Sequence, residues 1–383
     1  MYRLTSDQQV IVAQAREIAE KSIGPNADKT DSEGRFPQES IDALAAAGFL
    51  GLTIAPEYGG RGQGLRVACA VIEEIAQRCP STAMVYMMHL CGVATYSAAA
   101  DKTADYLRAA AAGKHLSTLA WSEKGSRSQF WAPVSQAVRN NGVVRLSAEK
   151  SWVTSAGHAD GYVVSTQWAD AQSPLQSMLY LVLREDQGVS VAGPWTALGM
   201  RGNASAPMKL ESVAVAPEHT LSEEGKGLDM MLGVVLPVFQ LCQAAIAVGI
   251  SEAAVQTTQG HLTGQSFAHS NSKLADLPNL RARLAEMRIE TDKARAHLVS
   301  VIDAVENPGP LTQLLVLETK AAAGETAVRV TDIGMRACGG AAFSKHLGLE
   351  RYFRDARAAI VMAPTTDHIY DFIGRALCGM EVF

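Results

Sequence analysis

Asn140-Asn141-Gly142-Val143-Val144-Arg145-Leu146 opens the stretch that decides the fold. An Asn-Gly pair ahead of a β-branched run is a hairpin signal, because both turn residues tolerate positive φ and the run suits a pleated strand. Three similar runs follow: Gly161-Tyr162-Val163-Val164-Ser165-Thr166, Met178-Leu179-Tyr180-Leu181-Val182-Leu183 and Lys209-Leu210-Glu211-Ser212-Val213-Ala214-Val215. Turn formers such as Glu185-Asp186-Gln187-Gly188 separate them. Short strands at this spacing predict a small β-barrel or sandwich over residues 115–224. Outside it the period is helical. Val10, Ala13, Ala15, Ile18 and Ala19 recur near i, i+3, i+4. Helices are expected over 37–47, stopped by Gly48, then over 66–78, 81–100 and 103–112. Beyond the strands they are expected over 227–261, 277–306, 311–337 and 366–377, with a polar loop at 264–276. The chain is therefore α+β in the order α-β-α: a helical domain 1–114, a β domain 115–224 and a helical domain 225–383.

Composition agrees with that division. At ~150 residues per domain, 383 residues make two or three units. The hydrophobic share is 48%, which excludes a disordered chain. There are 34 basic against 39 acidic residues, with no basic stripe, so a nucleic-acid binder is not expected. Only 19% of residues are charged, which suggests surface buried in an oligomer. The six cysteines (Cys69, Cys79, Cys91, Cys242, Cys338, Cys378) form no C-x-x-C pair and sit among apolar residues. They read as small hydrophobes, and no metal site is expected. The N-terminus lacks a signal-peptide core, and no long run free of polar residues suggests a membrane span. A soluble, cytoplasmic protein is expected.

Several motifs fall in one order along the chain. They are Pro56-Glu57-Tyr58-Gly59-Gly60; Ala120-Trp121-Ser122-Glu123 with Gly125 and Ser128; Glu149-Lys150-Ser151-Trp152-Val153-Thr154-Ser155-Ala156; Leu198-Gly199-Met200-Arg201-Gly202; Cys338-Gly339-Gly340; and Tyr352-Phe353-Arg354-Asp355-Ala356-Arg357. In that order and spacing the chain resembles the acyl-CoA dehydrogenases over essentially its whole length. The resemblance implies an N-terminal helical domain, a middle β-barrel and a C-terminal four-helix bundle. It implies FAD as cofactor, bound by Leu119, Ala120, Trp121, Ser122, Ser128, Trp152, Val153, Thr154, Phe267, Arg336, Gly340, Thr365 and Asp367. By residue type alone Trp152 reads as a core aromatic, and the polar 122–128 loop as a turn. Phe267 matches a residue that serves the neighbouring subunit's flavin. The substrate expected is an acyl thioester, of coenzyme A or an acyl-carrier protein, in fatty-acid metabolism. Its contacts would include His89, Ser128, Phe239, Gln240 and Ala363. Electrons would pass to an external acceptor such as electron-transfer flavoprotein, and the protein would be a homotetramer or dimer.

The catalytic position departs from the family. Its signature Tyr-Glu-Gly-Thr aligns with Met362-Ala363-Pro364-Thr365, so Ala363 stands where a glutamate removes the α-proton. The alternative site of that base, on a bundle helix, is Phe239, and the adjacent family arginine is Gln240. The flavin-loop arginine is Gly264, for which Arg336 is a candidate substitute, since a guanidinium pairs with a pyrophosphate bidentately. Losing a general base costs about 10²–10⁴ in rate. A relocated base is one reading, with Asp367 first, one turn beyond Ala363, and Asp371, Glu149 and His89 behind it. Asp367 reads equally as a carboxylate stabilised by a helix N-terminus, and His89 as a core histidine. A flavin chemistry that needs no such base, of the monooxygenase or desulfinase type, is a second reading. A non-catalytic subunit of a hetero-oligomer is a third, and a cofactor-free helical scaffold lies outside the family. In all the flavin readings the backbone N–H of residue 363 remains, and an oxyanion site needs donors, not a carboxylate.

Overall fold

The computed structural model describes residues 2–127 and 129–382, so Ser128, expected at both cofactor and substrate, lies outside the described residues. The N-terminal part holds six helices: α1 (Ser6–Ile18), α2 (Gly24–Glu33), α3 (Gln38–Ala46), α4 (Leu65–Ala76), α5 (Pro80–Ala98) and α6 (Ala100–Ala111). Thr5-Ser6-Asp7-Gln8 starts α1 as a reciprocal cap. The Thr5 hydroxyl accepts the Gln8 N–H, and the Gln8 side chain accepts the Thr5 N–H. Helix α5 is buried on almost every face and lies directly on the β domain. A Cβ at Gly92 would stand 2.0 Å from Ser117 Oγ, so that approach requires glycine.

Seven strands follow: β1 (Ser117–Ala120), β2 (Val138–Asn140), β3 (Val143–Val153), β4 (Gly161–Gln167), β5 (Ser177–Leu183), β6 (Val189–Val191) and β7 (Ala206–Val215). They form two sheets, β1-β4-β5 and β2-β3-β7-β6. The β1–β4 pair is parallel and the others are antiparallel. A seam beyond β1 joins the sheets: Ser151 N–H donates to Ser122 O (2.9 Å) and Lys124 N–H to Glu149 O (3.2 Å). Strands β4 and β5 read as continuous apolar runs because both their faces are covered. Tyr162, Val164, Met178 and Tyr180 belong to the core between the sheets; Val163, Leu179 and Leu181 belong to the core shared with the helices.

The C-terminal part comprises α7 (Gly227–Met230), α8 (Leu236–Gly264), α9 (Pro278–Glu306), α10 (Thr312–Cys338), α11 (Gly340–Phe343), α12 (Leu349–Ala356), α13 (Ala358–Val361) and α14 (Thr366–Leu377). Helices α8, α9 and α10 pack on one another and α14 packs on α10. The stretch Gly227–Gly264 is long and apolar enough, by length and composition, to cross a membrane. Residues 240–251 of it are buried throughout, and α8 packs against α4, α5, α9 and α10, which explains its apolarity as that of a core helix.

Two details differ from the sequence reading. Strand β3 runs to Val153, far beyond the expected 143–146 core, because the exposed Arg145, Ser147 and Glu149 alternate with the inward Leu146, Ala148 and Lys150. The glycine of the quoted Arg201-Gly202 motif is required by close approach. A Cβ there would meet Thr30 Cγ2 at 2.2 Å, while the left-handed residues of that loop are Met200, φ 53°, and Ala204, φ 48°.

Candidate active site

A cavity of about 1160 Å³ opens where the β domain meets the C-terminal helices. It exceeds the ~300–1,000 Å³ usual for a single drug-sized ligand, so it has room for a cofactor together with substrate. One part of the wall is cationic: Lys124, Arg127, Lys209, Arg354 and Arg357 line the cavity. The other part is apolar, with Met88, Phe130, Met231, Val235, Phe239 and Ala363 among its residues. Such a wall fits an anionic, phosphate-bearing ligand with a hydrophobic end. Trp121 lines the cavity too, and its buried indole N–H has no partner among the described residues, leaving a donor for a ligand.

The loop after β1 is held by a buried ion pair. Lys150 on β3 points inward and its Nζ lies 2.5 Å from Glu123 Oε1. Glu123 Oε2 accepts the N–H groups of Val134 and Ser135 at 2.7 Å each, and the Ser135 hydroxyl donates to Oε1. Burial pushes the Glu123 carboxyl up, but Lys150 and these donors outweigh it and hold the group below the usual carboxylate range. The pair therefore anchors the 122–127 segment to β3, and both of its members line the cavity. It was not anticipated, although an inward lysine in an alternating strand is a signal that could have found it.

Most of the expected cofactor residues gather there. Leu119, Trp121, Ser122, Trp152 and Thr154 line the cavity. Trp152 is not a core aromatic: it is 67% exposed, has φ 58°, and meets Trp195 edge-on at 5.8 Å. Thr154 Oγ1 lies 2.9 Å from Ser205 Oγ, which lines the cavity with Asn203 and Met200; none of these three was anticipated as a site residue. Ala120 and Val153 are buried in the core between the sheets, adjacent to the wall. Thr365 caps α14, its Oγ1 accepting the His368 N–H at 3.3 Å. Phe267, Arg336 and Gly340 lie away from this cavity; Arg336 is exposed and pairs with Asp332 at 3.0 Å.

His89, Gln240 and Asp367 do not line the cavity. His89 does not reach the cavity; Met88, one position and about 100° away on α5, does. His89 Nε2 lies 2.8 Å from Leu50 O, and its Nδ1 accepts the Ser117 N–H at 3.1 Å. Burial lowers its pKa to about 4, so it is a neutral core histidine. Gln240 is likewise turned into the core while Phe239 faces the cavity, and both polar atoms of its side chain lack partners among the described residues. Asp367 is exposed in the first turn of α14 and does not line the cavity, which suits a helix N-terminal carboxylate. Asp371 is exposed as well. Among the described residues the carboxylates that line the cavity are Glu123, fully engaged, and Glu149, 61% exposed and 3.5 Å from Lys124. Ala363 lines it, and the Ala363 N–H has no hydrogen-bond partner among the described residues.

Comparison with known proteins matches each part of this architecture. Family models match three segments: acyl-CoA dehydrogenase N-terminal domain over residues 5–114, middle domain over 118–213 and C-terminal domain over 225–378. A probable acyl-CoA dehydrogenase of Bacillus subtilis, YngJ, is 25% identical over 360 residues, 93% of this chain and 94% of that protein. The cyclohex-1-ene-1-carbonyl-CoA dehydrogenase of Syntrophus aciditrophicus is 26% identical over 386 residues, 98% of this chain and 91% of that protein. The solved butyryl-CoA dehydrogenase of Megasphaera elsdenii superposes with a TM-score of 0.92 at 22% identity, covering 98% of this chain and 99% of that one. Matched in all three domains and along nearly its full length, this chain belongs to the acyl-CoA dehydrogenase family.

Proposed function

We propose that the protein binds FAD, the family cofactor, and oxidises an acyl thioester across its α–β carbon–carbon bond. The observation that carries this reading is the cavity itself, which is lined by cationic and by apolar side chains and by Ala363. Lys124, Arg127 and Lys209 suit phosphates, while the Trp121 indole N–H and the hydroxyls of Ser122 and Thr154 are donors for the isoalloxazine and its substituents. When bound, FAD would supply the two-electron acceptor for the β-hydrogen. Met88, Phe130, Met231, Val235 and Phe239 exclude water from the acyl group, and the Ala363 N–H donates to the thioester carbonyl oxygen. We further propose a cytoplasmic homo-oligomer, in which Phe267, Arg336 and Gly340 serve a neighbouring subunit's cofactor. Electrons would leave to an external acceptor such as electron-transfer flavoprotein. The acyl carrier is coenzyme A or an acyl-carrier protein.

A second reading is favoured by one observation: among the described residues, no unpaired carboxylate lines the apolar wall. Oxygen chemistry or sulfur removal at a flavin needs no α-proton base at residue 363. One experiment separates the two. The purified, FAD-reconstituted protein is titrated anaerobically with a panel of acyl-CoA thioesters while the visible flavin band is followed. Bleaching supports dehydrogenation. Failure to bleach, together with oxygen uptake when a flavin reductase is supplied, supports the second reading. Failure to bind FAD at all refutes both.

A further inference from the structure

Lys320 lies on α10, is 0% exposed and does not line the cavity. Its ammonium donates to Met362 O at 3.0 Å and to Pro364 O at 2.6 Å, the carbonyls that flank Ala363. Burial, with no paired carboxylate among the described residues, lowers its pKa to about 7, so the group carries its full charge below that pH and remains a hydrogen-bond donor above it. The close packing of α10 on α13 brings the lysine there; a Cβ at Gly324, one turn on, would stand 3.3 Å from Ala359 Cβ. A buried ammonium without a counter-ion is costly, and here backbone oxygens alone compensate it.

The peptide unit between Met362 and Ala363 joins that lysine to the cavity. Its oxygen accepts from Lys320, and its N–H is the unpartnered donor of Ala363, which lines the cavity. Amide resonance couples the two ends, so a cation held on the oxygen draws electron density from the nitrogen and strengthens the N–H as a donor. Residue 364 is proline and offers no N–H, so residue 363 carries the only donor between Met362 and Thr365. We infer that Lys320 is a positioning residue that both fixes the Ala363 N–H and raises its donor strength, polarising an acyl carbonyl from behind the peptide plane. This rests on the thioester reading above. It also bears on the missing glutamate, because stronger carbonyl polarisation makes the α-proton more acidic and demands less of whatever group removes it.

The test uses the FAD-loaded protein and 3-(4-dimethylaminophenyl)acryloyl-CoA, whose absorption moves to longer wavelength as its carbonyl is polarised. Wild type is compared with Lys320→Met, Lys320→Gln and Lys320→Arg, each checked for fold by circular dichroism and for FAD content. The expected result is a red shift in wild type and Lys320→Arg that is reduced in Lys320→Met and Lys320→Gln. Flavin reduction by an acyl-CoA should slow on the order of tenfold at saturating thioester, less than the full loss of an oxyanion donor. Glutamine keeps a hydrogen-bond donor without charge, so Lys320→Gln decides the matter if Lys320→Met does not fold. An unchanged red shift in folded Lys320→Gln overturns the inference alone. Absence of any red shift or bleaching in wild type overturns the thioester reading, and this inference with it.

Discussion

Breaking the Glu123–Lys150 pair from one side should destabilise the middle domain, whereas removing both charges should not. Lys150 and Glu123 have side chains only 1% and 3% exposed, and their charged atoms are 2.5 Å apart. In Lys150→Met a buried carboxylate keeps three of its four donors but loses its counter-charge; removal of one partner from such a pair costs about 3–5 kcal/mol. In the double variant Glu123→Gln/Lys150→Met no charge is left unpaired, and the loss should fall to about 1–2 kcal/mol, set by the imperfectly satisfied amide. Measurement is direct because all five tryptophans, Trp121, Trp131, Trp152, Trp168 and Trp195, lie in the middle segment. Urea unfolding followed by tryptophan fluorescence therefore reports on that domain, and the cycle of single and double variants isolates the coupling. The pH dependence has a defined sign. Glu123 is held below its ordinary range, so its contribution is fully present above the unfolded carboxyl pKa, ~4.3, and is lost as pH falls through the folded value. A Lys150→Met variant within ~1 kcal/mol of wild type, or a double variant as unstable as the two singles added, would refute the reasoning.

Three further outcomes are expected. His89→Phe should leave flavin bleaching intact. Between the folded pKa of about 4 and the unfolded ~6.5, His89 should add up to roughly 3 kcal/mol of stability as pH rises, so the difference in stability between wild type and the variant should change with pH by about that amount. Asp367→Asn should reduce flavin as fast as wild type in stopped-flow with an acyl-CoA; a loss above ~10² would return Asp367 to the role of base. Ala363→Glu should accelerate thioester-dependent reduction by about 10²–10⁴ if proton removal limits the native protein, and equal rates in the two would show that it does not.

Where the sequence was legible, local chemistry and burial agreed. The span of α14 matches the expected 366–377 because Thr365 caps it and Ile369 and Phe372 turn to the core. Strands β4 and β5 were legible as continuous apolar runs because both faces are buried. Residues Tyr352 to Ala356 of helix α12 stand in a quoted motif, but no helix is expected there; Leu349, Tyr352, Phe353 and Ala356 do recur at i, i+3, i+4 and i+7, over only eight residues. At the site, the limit was rotation. Met88 and His89, or Phe239 and Gln240, differ by one step along a helix, and an almost wholly apolar helix carries no stripe to say which faces the cavity. Met200, Asn203 and Ser205 enter through a loop whose path is set by packing, beyond any local signal.

Helix α12 carries one more consequence. Arg351 reaches Asp28, Arg354 reaches Asp31 and the Leu198 carbonyl, and Asp355 takes the Met200 N–H, so eight residues bind three domains at once. Such a rivet makes the domains poor candidates for exchange between relatives. A chimaera joined anywhere between residues 32 and 348 separates Asp28 and Asp31 from the arginines selected with them, and inherits the cavity walls of two lineages without the pin that keeps them in register.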